Sequence, residues 1–542
     1  MLSAGKGETV DALDYIIIGA GSAGCVLANR LSADPQLRVL LVEAGPRDWH
    51  PFIHMPAGIA RLVNNRKVNW SYDTEPEPAL GNRRLWWPRG KVLGGSSSIN
   101  AMCYVRGVPG DYDRWEQAGA TGWNWDSVLP WFRHSEGNAR GGDALHGADG
   151  PLQVADLRHV NPLSHAFIEA GQQAGYRLNN DFNGPQHEGV GLYQVTQKDG
   201  ARCSSAAAYL TPVRQRRNLQ VLTGAQVARV QIENGRATGV VLRVGGRPQT
   251  LRATREILLS AGAINSPQLL MLSGIGPAGH LRSHGIDVRV DLPGVGANLQ
   301  DHLDICTLYR TVPGVSYDRA SEMRIGLDYF LRGRRGAGTS NVAEAGGFVR
   351  SRLAADERAD IQFHFVPAML DNHGRHRLPG DGYTLHACYL HPRSRGRIEL
   401  ASGDPLAPAR IHANYLSDVE GFDMKMMVEA ARLSRYLLQQ PAFAPWRKAP
   451  LFPADDQLDD AGLEAFIRAK AETIYHPAGT CRMGSDDAAV VDPQLRVRGI
   501  DGLRVIDASV MPALPSGNTN APTIMIAERA ASLILGHSPP SS

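Results

Sequence analysis

The sequence predicts a mixed α/β chain in which a unit of alternating strands and helices is interrupted by a second unit of α+β character. Three observations predict it. An apolar strand over Asp14–Ile18 runs into a glycine turn and a helix, and a second apolar strand follows and ends in an acid. Glycine-rich blocks recur at both ends and in the middle of the chain. Between the last two blocks, strand-like runs stand beside one long amphipathic helix.

Composition narrows the class before any motif is read. The 542 residues carry 57 basic and 54 acidic side chains, a formal charge of +3, with 43% hydrophobic and 20% charged residues. That is the make-up of a globular chain with a substantial core, which excludes disorder as its main state. The small basic excess is spread along the chain, so nucleic acid is not an expected partner. Cys25, Cys103, Cys203, Cys306, Cys388 and Cys481 stand far apart with no C-x-x-C pair, so neither a zinc site nor a disulfide framework is expected and no metal is assigned. The first thirteen residues lack the apolar stretch of a signal peptide, and no run of about 18 uncharged apolar residues occurs. The expectation is a cytoplasmic chain that does not span a membrane, with peripheral contact at the inner membrane face left open.

The first element carries the most chemistry. Gly19-Ala20-Gly21-Ser22-Ala23-Gly24 follows the strand and opens a helix over Cys25–Leu31; the strand Arg38–Val42 then leads to Glu43, about 20 residues beyond the glycines. Gly19 permits a tight turn, Gly21 lets the backbone approach a pyrophosphate, and Gly24 lets helix and strand pack closely. The helix start offers unpaired N–H groups to the anion, and Glu43 accepts hydrogen bonds from ribose hydroxyls. These parts together make a dinucleotide-binding (Rossmann-type) unit, and they do not separate NAD from FAD.

The second block, Trp86 to Asn100, contains Arg89-Gly90-Lys91-Val92-Leu93-Gly94-Gly95-Ser96-Ser97-Ser98-Ile99-Asn100. No Gly-Lys-Ser/Thr follows its glycines, so it is not a P-loop. From Gly90 through Tyr104 it resembles the first signature of the glucose-methanol-choline (GMC) flavoprotein oxidoreductases. Gly262 to Pro267 with Ser273 to Gly276, Pro293 to His302, Tyr475 to Gly484, Val505 to Ser509 and Gly517 to Thr523 resemble that family's later landmarks, so the likeness runs from about residue 14 to 535.

The resemblance implies FAD as cofactor. With the dinucleotide motif it implies FAD-binding residues at Gly19, Gly21, Ser22, Ala23, Gly24, Glu43, Ala44, Val92, Gly94, Gly95, Ser96, Asn100, Ala101, Met102, Val227, Asp507, Ala508, Asn520 and Thr523. Ile99 stands where some choline-oxidising relatives carry a histidine bonded to the flavin, so non-covalent binding is implied. The FAD-binding unit is then discontinuous, over 12–158, 198–308 and 471–537. A substrate unit over 159–197 and 309–470 is built on an antiparallel sheet. In the latter, Ile361–Phe365, Leu385–Leu390 and Arg397–Leu400 read as strands and Glu420–Leu438 as a helix whose Met424, Met427 and Ala431 face a core. Residues 538–542 read as a frayed tail.

Alcohol oxidation on a flavin needs a base for the hydroxyl proton, and histidine titrates near working pH. Composition cannot choose among 18 histidines. His476, before Pro477-Ala478-Gly479-Thr480, matches the family's active-site histidine and is implied as the base. The family's second catalytic position falls on Asn518, whose amide would hydrogen-bond the alcohol oxygen, with Asn520 the alternative. Glu344 is a candidate carboxylate for a quaternary ammonium, but Val342 and Ala343 stand where an aromatic ring precedes it in choline dehydrogenases. The implied activity is therefore oxidation of an uncharged primary alcohol to an aldehyde, as a dehydrogenase passing electrons to a quinone-like acceptor rather than to oxygen. Choline oxidation, and the lyase or light-driven decarboxylase chemistry of the same fold, are the alternatives.

Overall fold

The computed structural model describes residues 13–376 and 378–540, so the expected lack of a signal within residues 1–12 and the last two residues of the tail lie outside the described residues. Two seven-stranded sheets organise the chain. In the first, Leu219–Thr223, Val39–Glu43, Leu13–Ile18 and Arg247–Leu259 lie side by side in parallel, and Leu503–Val505 adds a further parallel strand to the last of these. Ile16 pairs with Leu40 on one side and with Ile257 on the other. These strands read as unbroken apolar runs because both of their faces are covered, as in parallel sheets generally. Arg247–Leu259 is long enough to serve twice, since its first half joins an antiparallel hairpin, Ala225–Glu233 with Arg236–Val244. The helices Ser22–Leu31 and Asn520–Leu535 pack against each other beside this sheet.

The second sheet is antiparallel, in the order Arg447–Phe452, Leu303–Thr311, Gly382–Tyr389, Ile361–Val366, Ala345–Val349, Gly189–Leu192, with Glu472–Thr473 also on Leu303–Thr311. Strand side chains alternate between faces. One face carries Ile305, Leu385, Ala387, Phe363 and Phe365, and it is covered by the helices Phe422–Leu438 and Pro162–Gln173. The other carries Asp304, Cys306, His386, Gln362 and His364 in register, Cys306 opposite His386 and His386 opposite His364. This polar face looks toward the nucleotide-binding sheet.

Met424, Met427 and Ala431 are buried in the core. The helix expected from Glu420 starts at Phe422, because Gly421 sits in the left-handed region at φ 64° and breaks the run. Leu303–Thr311 crosses the boundary expected at 308, and Glu472–Thr473 reaches the second sheet from within the segment expected to bind the nucleotide. Among the described residues no helix is long and apolar enough to cross a membrane.

Candidate active site

A cavity of about 660 Å³ runs between the two sheets, from the glycine turn at one end to the polar face of the antiparallel sheet at the other. Its size suits a cofactor together with a small substrate. Its nucleotide end is built by close backbone approach. Gly19 has φ 96°, and a Cβ on Gly24 would stand 1.9 Å from the carbonyl oxygen of Gly19. Gly95, at φ 54°, packs so tightly on Gly21 that its Cβ would lie 2.7 Å from the Cα of Gly21. The helix Ser22–Leu31 has no side-chain cap and no acid in its first turn, which leaves its dipole free for an anion. Asn520–Leu535 starts likewise uncapped beside it, and the Ser22 hydroxyl donates to Asn520 Oδ1 at 2.7 Å.

Glu43 Oε2 accepts from the Ala20 N–H at 2.9 Å and Oε1 from the Gly45 N–H at 2.8 Å, which points the carboxylate into the cavity. Burial pushes its pKa up to about 7, against the pull of those two N–H groups and Lys91. A carboxylate so placed has lone pairs left for hydroxyl donors, as a ribose would supply. Gly19, Gly21, Ser22, Ala23, Ala44, Gly95, Ser96, Asn100, Ala101, Met102, Val227, Asp507, Ala508, Asn520 and Thr523 also line the cavity. Three expected contacts do not. Gly24 is spent on packing against Gly19, Val92 is fully buried in a small apolar cluster, and Gly94 turns the chain at φ 87° with its N–H on the carbonyl of Ala20.

His476 and Asn518 meet at the far end, with Asn518 Nδ2 3.1 Å from His476 Nε2. The hydrogen-bond chain around them has a single direction. His302 Nε2 lies 3.0 Å from the carbonyl oxygen of Leu390, which can only accept, so that nitrogen carries the hydrogen. The neutral His302 therefore accepts at Nδ1, 3.0 Å from His476 Nδ1, and His476 must donate there. This leaves the lone pair of His476 on Nε2, where the Asn518 amide donates. Asn518 Oδ1 in turn accepts from Gln362 Nε2 at 3.0 Å. Burial, reinforced by His302, His364 and Arg89, holds the pKa of His476 well below its ordinary value, and burial drives His302 down to about 3. The pair is neutral, with an unprotonated nitrogen aimed into the cavity. The backbone N–H of His476 is anchored on Asp301 Oδ1 at 2.8 Å, and Tyr475 beside it takes a left-handed φ of 73°.

His302, Gln362 and His364 carry no role by motif, and Arg89 stands in the second block without one. His302 lies inside the Pro293-to-His302 landmark without an assigned role, and Gln362 and His364 come from a strand whose only sequence signal is apolar alternation. Among the described residues one trio of metal-capable side chains also converges on the polar sheet face, Asp304, Cys306 and His386, with the Asp304–His386 contact at 2.6 Å.

Glu344 is not a cavity residue. It is fully buried, and its two oxygens are taken up by the Asn161 N–H and the hydroxyls of Ser164, Tyr317 and Ser340. Part of the lining at this end is apolar, formed by Val342, Ala343, Val366, Ala368, Leu370 and Ile474, and it adjoins Tyr317, Asp318, His364, His373, His386 and Tyr475.

The chain shares this architecture with known proteins. It is 52% identical over 529 residues to the alcohol dehydrogenase [acceptor] of Pseudomonas putida, covering 96% of this chain and 95% of that one. It is 46% identical over 537 residues to the oxygen-dependent choline dehydrogenase of Sinorhizobium fredii, covering 97% and 96%. The crystal structure of pyridoxine 4-oxidase from Mesorbium loti superposes with a TM-score of 0.89 at 34% identity, over 97% of this chain and all of that one. Sequence profiles described as GMC oxidoreductase match residues 13–304 and 392–527, the stretches that hold the glycine turn and the His476–Asn518 pair, and the chain belongs to that family.

Proposed function

We propose that this chain oxidises an uncharged primary alcohol to an aldehyde, with FAD held non-covalently in the cavity and His476 as the base. The observation that carries the reading is the one-way hydrogen-bond chain, which delivers a neutral imidazole with its lone pair on Nε2, held by the Asn518 amide. An alcohol hydroxyl entering here inserts between the two side chains: it replaces the Asn518 amide as donor to His476 Nε2 and accepts the released hydrogen of Asn518 Nδ2. Once the proton has moved, both nitrogens donate to the same oxygen and stabilise its charge.

The glycine turn, Gly95, Glu43 and the two uncapped helix starts would hold the dinucleotide. When bound, its flavin supplies the acceptor for the hydride that leaves the carbinol carbon. Ile99 lines the cavity and has no nucleophile with which to tether it. The division into a nucleotide-binding unit and a substrate unit fits the two sheets, since the base and its partner come from the segment 471–537 while Gln362 and the apolar residues, Ile474 apart, come from 309–470.

The apolar wall and the engaged Glu344 favour a neutral substrate over choline. The Pseudomonas putida relative is named for an unspecified acceptor, and on that likeness the electrons pass to a quinone-like acceptor. The test is anaerobic mixing with primary alcohols followed at the flavin absorbance. Bleaching by an alcohol, with re-oxidation by a dye faster than by air, is the expected result; a flavin that stays oxidised with every alcohol would point to non-redox chemistry.

A further inference from the structure

Four of the eleven large apolar side chains exposed among the described residues fall within nine consecutive positions: Met323 at 76%, Leu327 at 45%, Phe330 at 50% and Leu331 at 75%. Exposed apolar residues scattered singly are ordinary, but a contiguous patch marks an interaction surface. All four lie on the helix Glu322–Leu331. At 3.6 residues per turn their spacing of i, i+4, i+7 and i+8 places them in one arc of about 100°. The opposite side of the same helix faces the protein. Tyr329 is buried there and its hydroxyl donates to the carbonyl of His54, while Glu322 and Ile325 line the mouth of the cavity.

Cations surround the stripe. Arg319, Arg324, Arg332, Arg334 and Arg335 are all exposed, against Asp318, Glu322 and Asp328 in the same stretch. The ion pair of Arg61 with Glu322 brings a second basic segment alongside, and there Arg61, Arg66 and Lys67 line a shallow groove with His50 and Phe52. With Asp381, which pairs with Arg319 at 3.1 Å, that makes eight cations to four carboxylates around a bare apolar stripe. Trp49, 78% exposed, stands just before the short helix Pro51–His54 on which Tyr329 rests.

We propose that this face docks the enzyme on an anionic lipid bilayer, with the helix Glu322–Leu331 lying in the interface plane. Charge chooses the occupant. An apolar helix stripe flanked by an excess of exposed cations matches the acyl and anionic phosphate layers of a membrane surface. Docking in this orientation brings to the bilayer surface a helix whose inner side lines the cavity, which shortens the path of apolar alcohols or a lipid-soluble acceptor to it. The proposal does not rest on the identity of the substrate.

The test is flotation of the flavin-loaded enzyme with vesicles of phosphatidylethanolamine and phosphatidylglycerol, compared with phosphatidylcholine alone. The enzyme is expected to float with the anionic vesicles and to be partly released by high salt, since surface charge attraction is screened. The variant L327S/F330S/L331S is expected to lose about 10-fold or more in partitioning, and R332E/R335E to lose binding to anionic vesicles selectively. Both should keep their flavin and their dye-coupled activity in solution, because none of these side chains lines the cavity. Two results would overturn the proposal: no flotation of the parent enzyme with either vesicle, or undiminished flotation of the variants. A third is a drop in oligomeric mass of the triple variant with vesicle binding unchanged, which would assign the face to a second copy of the chain.

Discussion

His302 and His476 face each other through like nitrogens, Nδ1 to Nδ1 at 3.0 Å, so one must donate and the other accept. The Leu390 carbonyl decides which, by fixing the hydrogen of His302 on the far nitrogen. The consequence is testable at His302. Replacing it by Leu removes the acceptor, frees His476 to take either tautomer and should slow flavin reduction about 10-fold, the scale of one lost buried hydrogen bond. His302→Gln, whose amide can accept from His476 and donate to Leu390, should retain more of the rate. Equal rates in the two variants would show that the tautomer is set elsewhere.

His476→Ala should leave the protein folded and flavinated and slow anaerobic reduction by about 100-fold or more, as expected for loss of a positioned base. Asn518→Ala should slow it less and keep the pH dependence. If Asn518→Ala is normal and Asn520→Ala impaired, the second role moves two residues along. The pH profile carries its own sign. Burial and three cationic or ionisable neighbours disfavour protonated His476, so its base form persists on lowering the pH past 6.5, the ordinary histidine value. The acid limb of kcat/KM is therefore expected below that pH; a limb centred at or above it would mean that the base is more exposed than its surroundings here.

The parts of the site that could be read from sequence are those where one local block does the chemistry. Gly19 and Gly24 are forced by backbone approach, and His476 and Asn518 each sit in a distinctive loop. His302, Gln362 and His364 escape such reading because they meet through cross-strand register. His364 lines the cavity and Gln362 reaches Asn518 only because their strand pairs with Gly382–Tyr389 in one register, and a one-residue slip would turn both away. Glu344 fails in the opposite sense: its type and neighbourhood suit a ligand, yet four donors brought from three separate segments consume its oxygens. Gly421 cut short a helix whose apolar periodicity was otherwise correct.

Glu43→Ala should weaken FAD retention roughly 10- to 100-fold, because charge-assisted hydrogen bonds of about 1.5 to 3 kcal/mol are lost to the ribose. Equilibrium dialysis against free FAD measures this directly, and an unchanged affinity would remove Glu43 from the ribose role. In the same preparation, acid denaturation should release all the flavin into the supernatant, since Ile99 offers no covalent tether. Yellow colour remaining with the precipitate would place a bond to some other side chain.

Substrate choice follows from the apolar part of the cavity wall and from where Glu344 sits. A quaternary ammonium needs a carboxylate or aromatic faces to replace its hydration, each ring contributing about 0.5 to 2 kcal/mol. The carboxylate of Glu344 is sealed beneath the wall, and Val342, Ala343, Val366, Ala368, Leu370 and Ile474 offer only dispersion and burial. An alkyl or benzyl chain gains about 25 cal/mol for each Å² it buries there, whereas a cation gains little and loses its water. Medium-chain and benzylic alcohols should therefore exceed choline in kcat/KM by about 10-fold or more with a dye acceptor. Val342→Phe should narrow that gap by taking space from the alkyl chain and restoring a ring. A preference for choline in the parent enzyme, or turnover in air as fast as with the dye, would contradict the substrate reading in the first case and the acceptor reading in the second.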